Sequence, residues 1–107
     1  MTVSKLAQEI IAAYKKHGWH VRRTLSRPES RGELQSALEP GIPIKEATFD
    51  AIWFSRTSFN KREAWELRLV EESPYALFET FAPDMPEEER EALRLEMEER
   101  IGERRKK

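Results

Sequence analysis

The chain predicts an α+β domain with an N-terminal helix, a mostly antiparallel sheet of about four strands and a C-terminal helix. Three observations carry that expectation. Val3, Leu6, Ala7, Ile10, Tyr14 and His17 recur at three- and four-residue spacing, the period of an amphipathic helix. Residues 48–81 hold three apolar runs, TFDAIWFSR, REAWELRLV and YALFETF, separated by turn residues, which read as a three-strand meander. From Asp84 onward, a proline in the first turn, a run of glutamates and a thin apolar stripe of Leu93, Met97 and Ile101 predict a second helix.

Taken in order, Thr2 or Ser4 caps the first helix, and Gly18 stands where a left-handed residue ends it, with Trp19 packing back on Tyr14. WHVRRTL, residues 19–25, reads as a strand. Trp19, Val21 and Leu25 share one side with Arg23 interrupting, and His20, Arg22 and Thr24 form a wet, basic side. Residues 26–32 are turn-rich and expected to be mobile. ELQSALE, 33–39, suits a short helix stopped by Pro40 and Gly41, and the stretch to Lys45 leads into the meander.

A hairpin loop at 57–61 sets Arg56 opposite Arg62, Trp53 opposite Trp65 and Asp50 opposite Arg68. A second turn near Ser73 sets Leu69 beside Leu77 and Trp65 beside Phe81. One sheet face then gathers Trp53, Trp65, Leu67, Leu69, Leu77 and Phe81 as a core. The other gathers Ile52, Phe54, Val70, Ala76 and Phe78, with the polar set Asp50, Glu66 and Arg68. Asp84 opens the last helix with Glu87 as capping-box partner, and Gly102 ends it. So thin a stripe suits a helix lying across a sheet edge or against a partner. Residues 1–102 are expected to form a single domain and 103–107 a disordered, dispensable basic tail.

The 107 residues suffice for one core without staples. There is no cysteine, so disulfide and thiolate chemistry are excluded and a cytoplasmic setting is the expectation. No stretch approaches a membrane span or carries the apolar core of a signal peptide. The net charge of −1 is unevenly spread. Residues 1–31 carry seven Lys/Arg against two acids, residues 63–99 thirteen acids against three arginines, and the last eight residues five Lys/Arg against one acid. Solvated helix faces account for such blocks, and so would the steering of a charged partner.

Glu9, Asp50, Glu66 and Arg68 form the sharpest chemical constellation. A helix bearing an acid, a basic strand, an aspartate opening a strand and E-x-R in the next resembles the start of the PD-(D/E)xK nuclease fold over residues 6–70. The resemblance implies a divalent metal held by Glu9, Asp50 and Glu66 and activating water. The sequence departs from that pattern at Arg68, where the family has lysine, in the missing proline before Asp50, and in the strand YALFETF where a helix is expected. An Asp50–Arg68 cross-strand ion pair explains the same residues without a metal. His17 and His20 straddle a helix end and lack further ligands. Lys15, Lys16, His20, Arg22, Arg23, Arg27 and Arg31 interleave with Trp19. Of these, Arg22, Arg23 and Arg27 could hold an anion or nucleic acid, although the acidic overall balance argues against a nucleic-acid partner.

Ile52, Phe54, Val70 and Phe78 need cover. One helix on each face would supply it within a monomer. If both helices share one side, the patch becomes a homodimer interface. The residues favour a small non-enzymatic interaction or regulatory domain of unknown partner, with no cofactor and no metal. A metal-dependent nuclease relative is the enzymatic alternative, and a nucleic-acid-binding module on the basic N-terminal strand is the third reading.

Overall fold

Five strands and three helices build a three-layer sandwich in a computed structural model that describes residues 2–106. Helix α1 is Val3–Lys16, α2 Arg31–Ala37 and α3 Glu87–Lys106; the strands are β1 His20–Ser26, β2 Ile44–Glu46, β3 Ala51–Thr57, β4 Glu63–Leu69 and β5 Ala76–Phe81. The sheet order is β2-β1-β3-β4-β5, antiparallel except for the β1–β2 pair. The additional strand is β2. It lies in the stretch read as a connector, and only the crossover through α2 brings it beside β1.

The start of the chain forms as expected. The Thr2 hydroxyl accepts from the Lys5 amide, and Gly18 takes φ +85°. Trp19 N–H reaches the Tyr14 carbonyl at 3.1 Å and Gly18 N–H that of Lys15 at 3.1 Å, the paired closure of a Schellman motif. Trp19 meets the Tyr14 ring edge-on at 5.9 Å.

In β1 a bulge between Val21 and Arg23 overturns the single-parity reading. Val21 stays on the α1 side, Arg23 turns to the α3 side over Trp53, and Thr24 is fully buried rather than wet. Residues 28–30 are not an open loop but a 3-10 turn running into α2, with Ser30 buried.

The meander has the expected faces with each pairing moved by two residues. Ser58 N–H bonds the Arg62 carbonyl, and Asn60 and Lys61 take left-handed φ of 57° and 62°, so the loop is 58–62. Trp53 therefore opposes Leu67, and Ile52, not Asp50, opposes Arg68. Trp53 and Trp65 still touch, diagonally, with rings 5.9 Å apart and nearly perpendicular. In the next hairpin Leu67 opposes Leu77 and Glu63 opposes Phe81. Shifts of two preserve parity, so each side chain stays on its expected face.

Each face has its own helix cover. Trp53, Trp65, Leu67, Leu69 and Phe81 pack with Met97 and Ile101 of α3. Ile52, Phe54 and Val70 pack with Ala7, Ile10 and Ile11 of α1 and Leu34 of α2. Those three are therefore buried inside the chain and cannot form a homodimer face, whereas Phe78 remains 57% exposed.

Helix α3 lies on the core, not across an edge. Its thin stripe is widened by two charged side chains, Arg94 and Glu98, both buried. Arg94 stacks 4.3 Å from the Trp65 ring centre and bonds Glu91 and Glu87. Glu98 accepts from Trp53 Nε1 at 2.8 Å, Arg23 at 3.0 Å and Lys45 at 2.9 Å. The helix starts at Glu87, after Pro86, rather than from a cap at Asp84. Arg90 reaches back to the carbonyls of Ala82, Pro83 and Met85. Gly102 does not end α3, which continues to Lys106 where a disordered tail was expected; Lys107 lies outside the described residues. A Cβ at Gly102 would sit 3.1 Å from Phe49 Cε1, so the glycine admits the Phe49 ring against the helix.

Candidate functional site

The four acids and bases of the nuclease-like constellation do not assemble. Glu9 is exposed on α1. Asp50, just before β3, takes the Arg27 amide at 2.9 Å and the Arg27 guanidinium at 3.0 and 3.2 Å. The expected Asp50–Arg68 pair is thus replaced by Asp50–Arg27, which ties the end of β1 to the start of β3. The pair raises the Arg27 pKa further, first through the hydrogen bond and then through the carboxylate charge. Arg68 turns along β4 to the carbonyls of Leu69 and Glu71. Among the described residues no three His, Asp or Glu side chains are grouped to hold a metal ion.

The anion-binding trio is dispersed as well. Arg23 is committed to Glu91 and Glu98, and Arg27 to Asp50. Arg22, on the bulge, leans over Trp65 at 5.5 Å. Of the three, Arg23 pairs with the acidic α3 and Arg27 with the start of β3, so two of the three guanidinium groups are already matched within the chain. His17 and His20 are both exposed. His17 presents its carbonyl to Arg56.

The fourth member, Glu66, has a different neighbourhood from the one its sequence suggests. In the middle of β4 it faces Phe54 on one side and Phe78 on the other. Above it the Schellman turn of α1 sets Tyr14, stacked on Phe54 with ring centres 4.0 Å apart, and Trp19, edge-on to Phe78 at 6.4 Å. The Tyr14 hydroxyl donates to Glu66 Oε2. Burial, that hydrogen bond and the Glu66 charge push the Tyr14 hydroxyl pKa well above its ordinary value, against a lowering by Arg68. A cavity of about 250 Å³ opens beside this pair, lined by Ala13, Tyr14, His17, Trp19 and Glu66. Tyr14 reads in sequence as one more apolar-stripe residue. The available signal was the shared parity of Glu66 with Phe54 and Phe78.

Strand β5 is a free sheet edge. Leu69 N–H bonds the Tyr75 carbonyl, so by alternation the backbone groups of Ala76, Phe78 and Thr80 point outward. Those of Thr80 are occupied, its carbonyl by Arg62 at 3.2 Å and its amide by Glu79 at 3.1 Å. The accessible edge is therefore residues 76–78, next to Trp19 and the cavity. A broader cleft of about 520 Å³ lies between α3 and the β2–β3 connection, floored by Leu25, Ala47 and Phe49, but its Glu98 is already matched by Lys45 and Arg23.

No family model, curated protein or solved structure matches the chain. No helix among the described residues is long and apolar enough to cross a membrane.

Proposed function

We propose that the chain is a non-enzymatic protein-interaction module of the cytoplasm that docks an extended segment of a partner protein along β5, over Phe78 and Trp19. Phe78 carries this reading. It is a large aromatic, 57% exposed, on a face where its neighbours Ile52 and Phe54 are fully buried, and it stands on a strand whose outer backbone groups are open over 76–78. An added strand would satisfy those groups while its side chains cover the ring. The absence of cysteine supports the cytoplasmic setting. The dispersal of Glu9, Asp50 and Glu66 weighs against metal-assisted hydrolysis, and the internal pairing of Arg23 and Arg27 weighs against a phosphate-binding strand.

Selection from a displayed random-peptide library, followed by titration of the synthesised consensus peptide, tests the reading. Amide shifts are expected at residues 76–80 and at Trp19, with binding weakened about ten-fold or more in Phe78→Ser, the loss of one aromatic anchor. Shifts centred elsewhere would overturn the docking surface. Divalent-metal-dependent cleavage of DNA or RNA, lost in Asp50→Ala, would replace the module with the nuclease reading.

A further inference from the structure

Glu66 is a half-buried carboxylate within a cluster of four aromatic rings: Phe54, Phe78, Tyr14 and Trp19. None of the ion pairs among the described residues includes it. The guanidinium groups nearby are tethered to backbone carbonyls, Arg68 to Leu69 and Glu71 and Arg56 to His17, the latter also lying 5.8 Å from the Trp19 ring centre. The partner Glu66 does have, the Tyr14 hydroxyl, is neutral and accounts for one of its two oxygens. A carboxylate accepts about four hydrogen bonds, so capacity remains. Desolvating a carboxylate without a paired cation is costly, and two aromatic side chains, Tyr14 and Trp19, line the cavity beside it; together they favour one kind of addition, a cation.

The cavity size narrows the class. Its volume of about 250 Å³ corresponds to roughly eight waters. It falls below the roughly 300–1,000 Å³ of sites that enclose a whole small molecule. It has room for a head group whose remainder lies outside, along the open edge of β5. We infer that the Glu66 cavity binds an alkylammonium head, supplied by a lysine side chain of the docked partner. The inference rests on the docking surface proposed above and adds its chemistry. The ammonium faces Glu66, and its methylene stem passes Trp19 toward the open edge of β5.

The test follows the Trp19 indole N–H resonance while the protein is titrated with Ac-Gly-Lys-Gly-NH2, with its Nε-acetyl-lysine counterpart and with tetramethylammonium chloride, at matched ionic strength. The lysine peptide is expected to give a saturable shift and the acetylated peptide none. Glu66→Gln, which keeps a hydrogen-bond acceptor for Tyr14 but removes the charge, should weaken binding about ten-fold or more. Tyr14→Phe keeps both the ring and the carboxylate and should retain binding within about three-fold, under 1 kcal/mol. Equal shifts in wild type and Glu66→Gln, or no saturable shift with any of the probes, would overturn the cation site. Saturation by tetramethylammonium but not by the peptide would overturn its assignment to lysine. A consensus peptide that depends on Phe78 but binds Glu66→Gln unchanged would leave the docking surface standing and remove the cation site alone.

Discussion

Replacing Glu98 by alanine should be among the most damaging single changes at the α3–sheet contact, and the structure allows its cost to be built up by parts. The Glu98 side chain, 9% exposed, accepts from three donors of differing exposure. Trp53 is fully buried, so its indole N–H would be left unsatisfied, at about 1–3 kcal/mol. Arg23 is partly exposed and keeps its two bonds to Glu91, so its share is nearer to 1 kcal/mol. Lys45 is 58% exposed and regains water, contributing about 0–1 kcal/mol. The total is about 3 kcal/mol, against roughly 5–15 kcal/mol for a whole domain.

Urea titration at neutral pH should show a lower midpoint with an unchanged slope, and the melting temperature should fall by roughly 10–20 °C. Glu98→Gln retains an acceptor for Trp53 and should cost about half as much. In a Trp53→Phe background, Glu98→Ala should lose about 1–2 kcal/mol less than in the wild type, because the orphaned donor is gone. A Glu98→Ala loss under about 1 kcal/mol would refute the view that α3 is anchored through this carboxylate. Equal losses for Gln and Ala would assign the cost to charge rather than to the indole bond.

Three further outcomes follow from the same contacts. Asp50→Ala and Arg27→Ala should be non-additive by about 1 kcal/mol in a double-mutant cycle, whereas Asp50→Ala and Arg68→Ala should add within about 0.5 kcal/mol; coupling to Arg68 instead would return the register to the two-residue alternative. Gly102→Ala should be nearly neutral, since a helix-propensity gain of about 1 kcal/mol is offset by the approach to Phe49, and the gain should reappear in a Phe49→Leu background. Burial raises the Glu91 pKa, but the hydrogen bonds and charges of Arg23 and Arg94 outweigh it and leave it lowered. A lowered folded-state pKa gives stability that is present above the unfolded value of about 4.3 and lost as pH falls through the folded one. Glu91→Gln should therefore lose less stability than the wild type between about pH 5 and pH 3, and equal acid sensitivity in denaturant titrations would count against it.

Side-chain alternation explains both what the sequence disclosed and what it concealed. It fixes the face of Trp53, Trp65, Leu67 and Phe81, because any slip of two residues leaves the face unchanged; the same indifference conceals which residue stands opposite which. Alternation therefore names Arg68 as the partner of Asp50, where the fold supplies Arg27. Local chemistry was more informative where it acts within a few residues, as at Thr2, Gly18 and Trp19. It was uninformative at the Val21/Arg23 bulge, where nothing in HVRRT marks the extra residue, and at β2, whose three residues pair only because α2 carries them back beside β1.

The larger concealment concerns charge. Arg94 and Glu98 read as the solvent side of a helix, because charged residues are rarely buried without partners. Arg94 has Glu87 and Glu91 on its own helix, but the partners that draw the two side chains inward, Arg23, Lys45 and two tryptophans, lie from 29 to 75 residues away and become visible only once the sheet is assembled. The same reasoning isolates Glu66. The buried carboxylate Glu98 is met by two cations and an indole N–H, and Asp50 by a guanidinium and an amide. Glu66, set among aromatic rings, is met by a phenol. A fold that matches these acids with cations and leaves this one with a neutral donor, beside a cavity on an open sheet edge, has a place for a cation from outside.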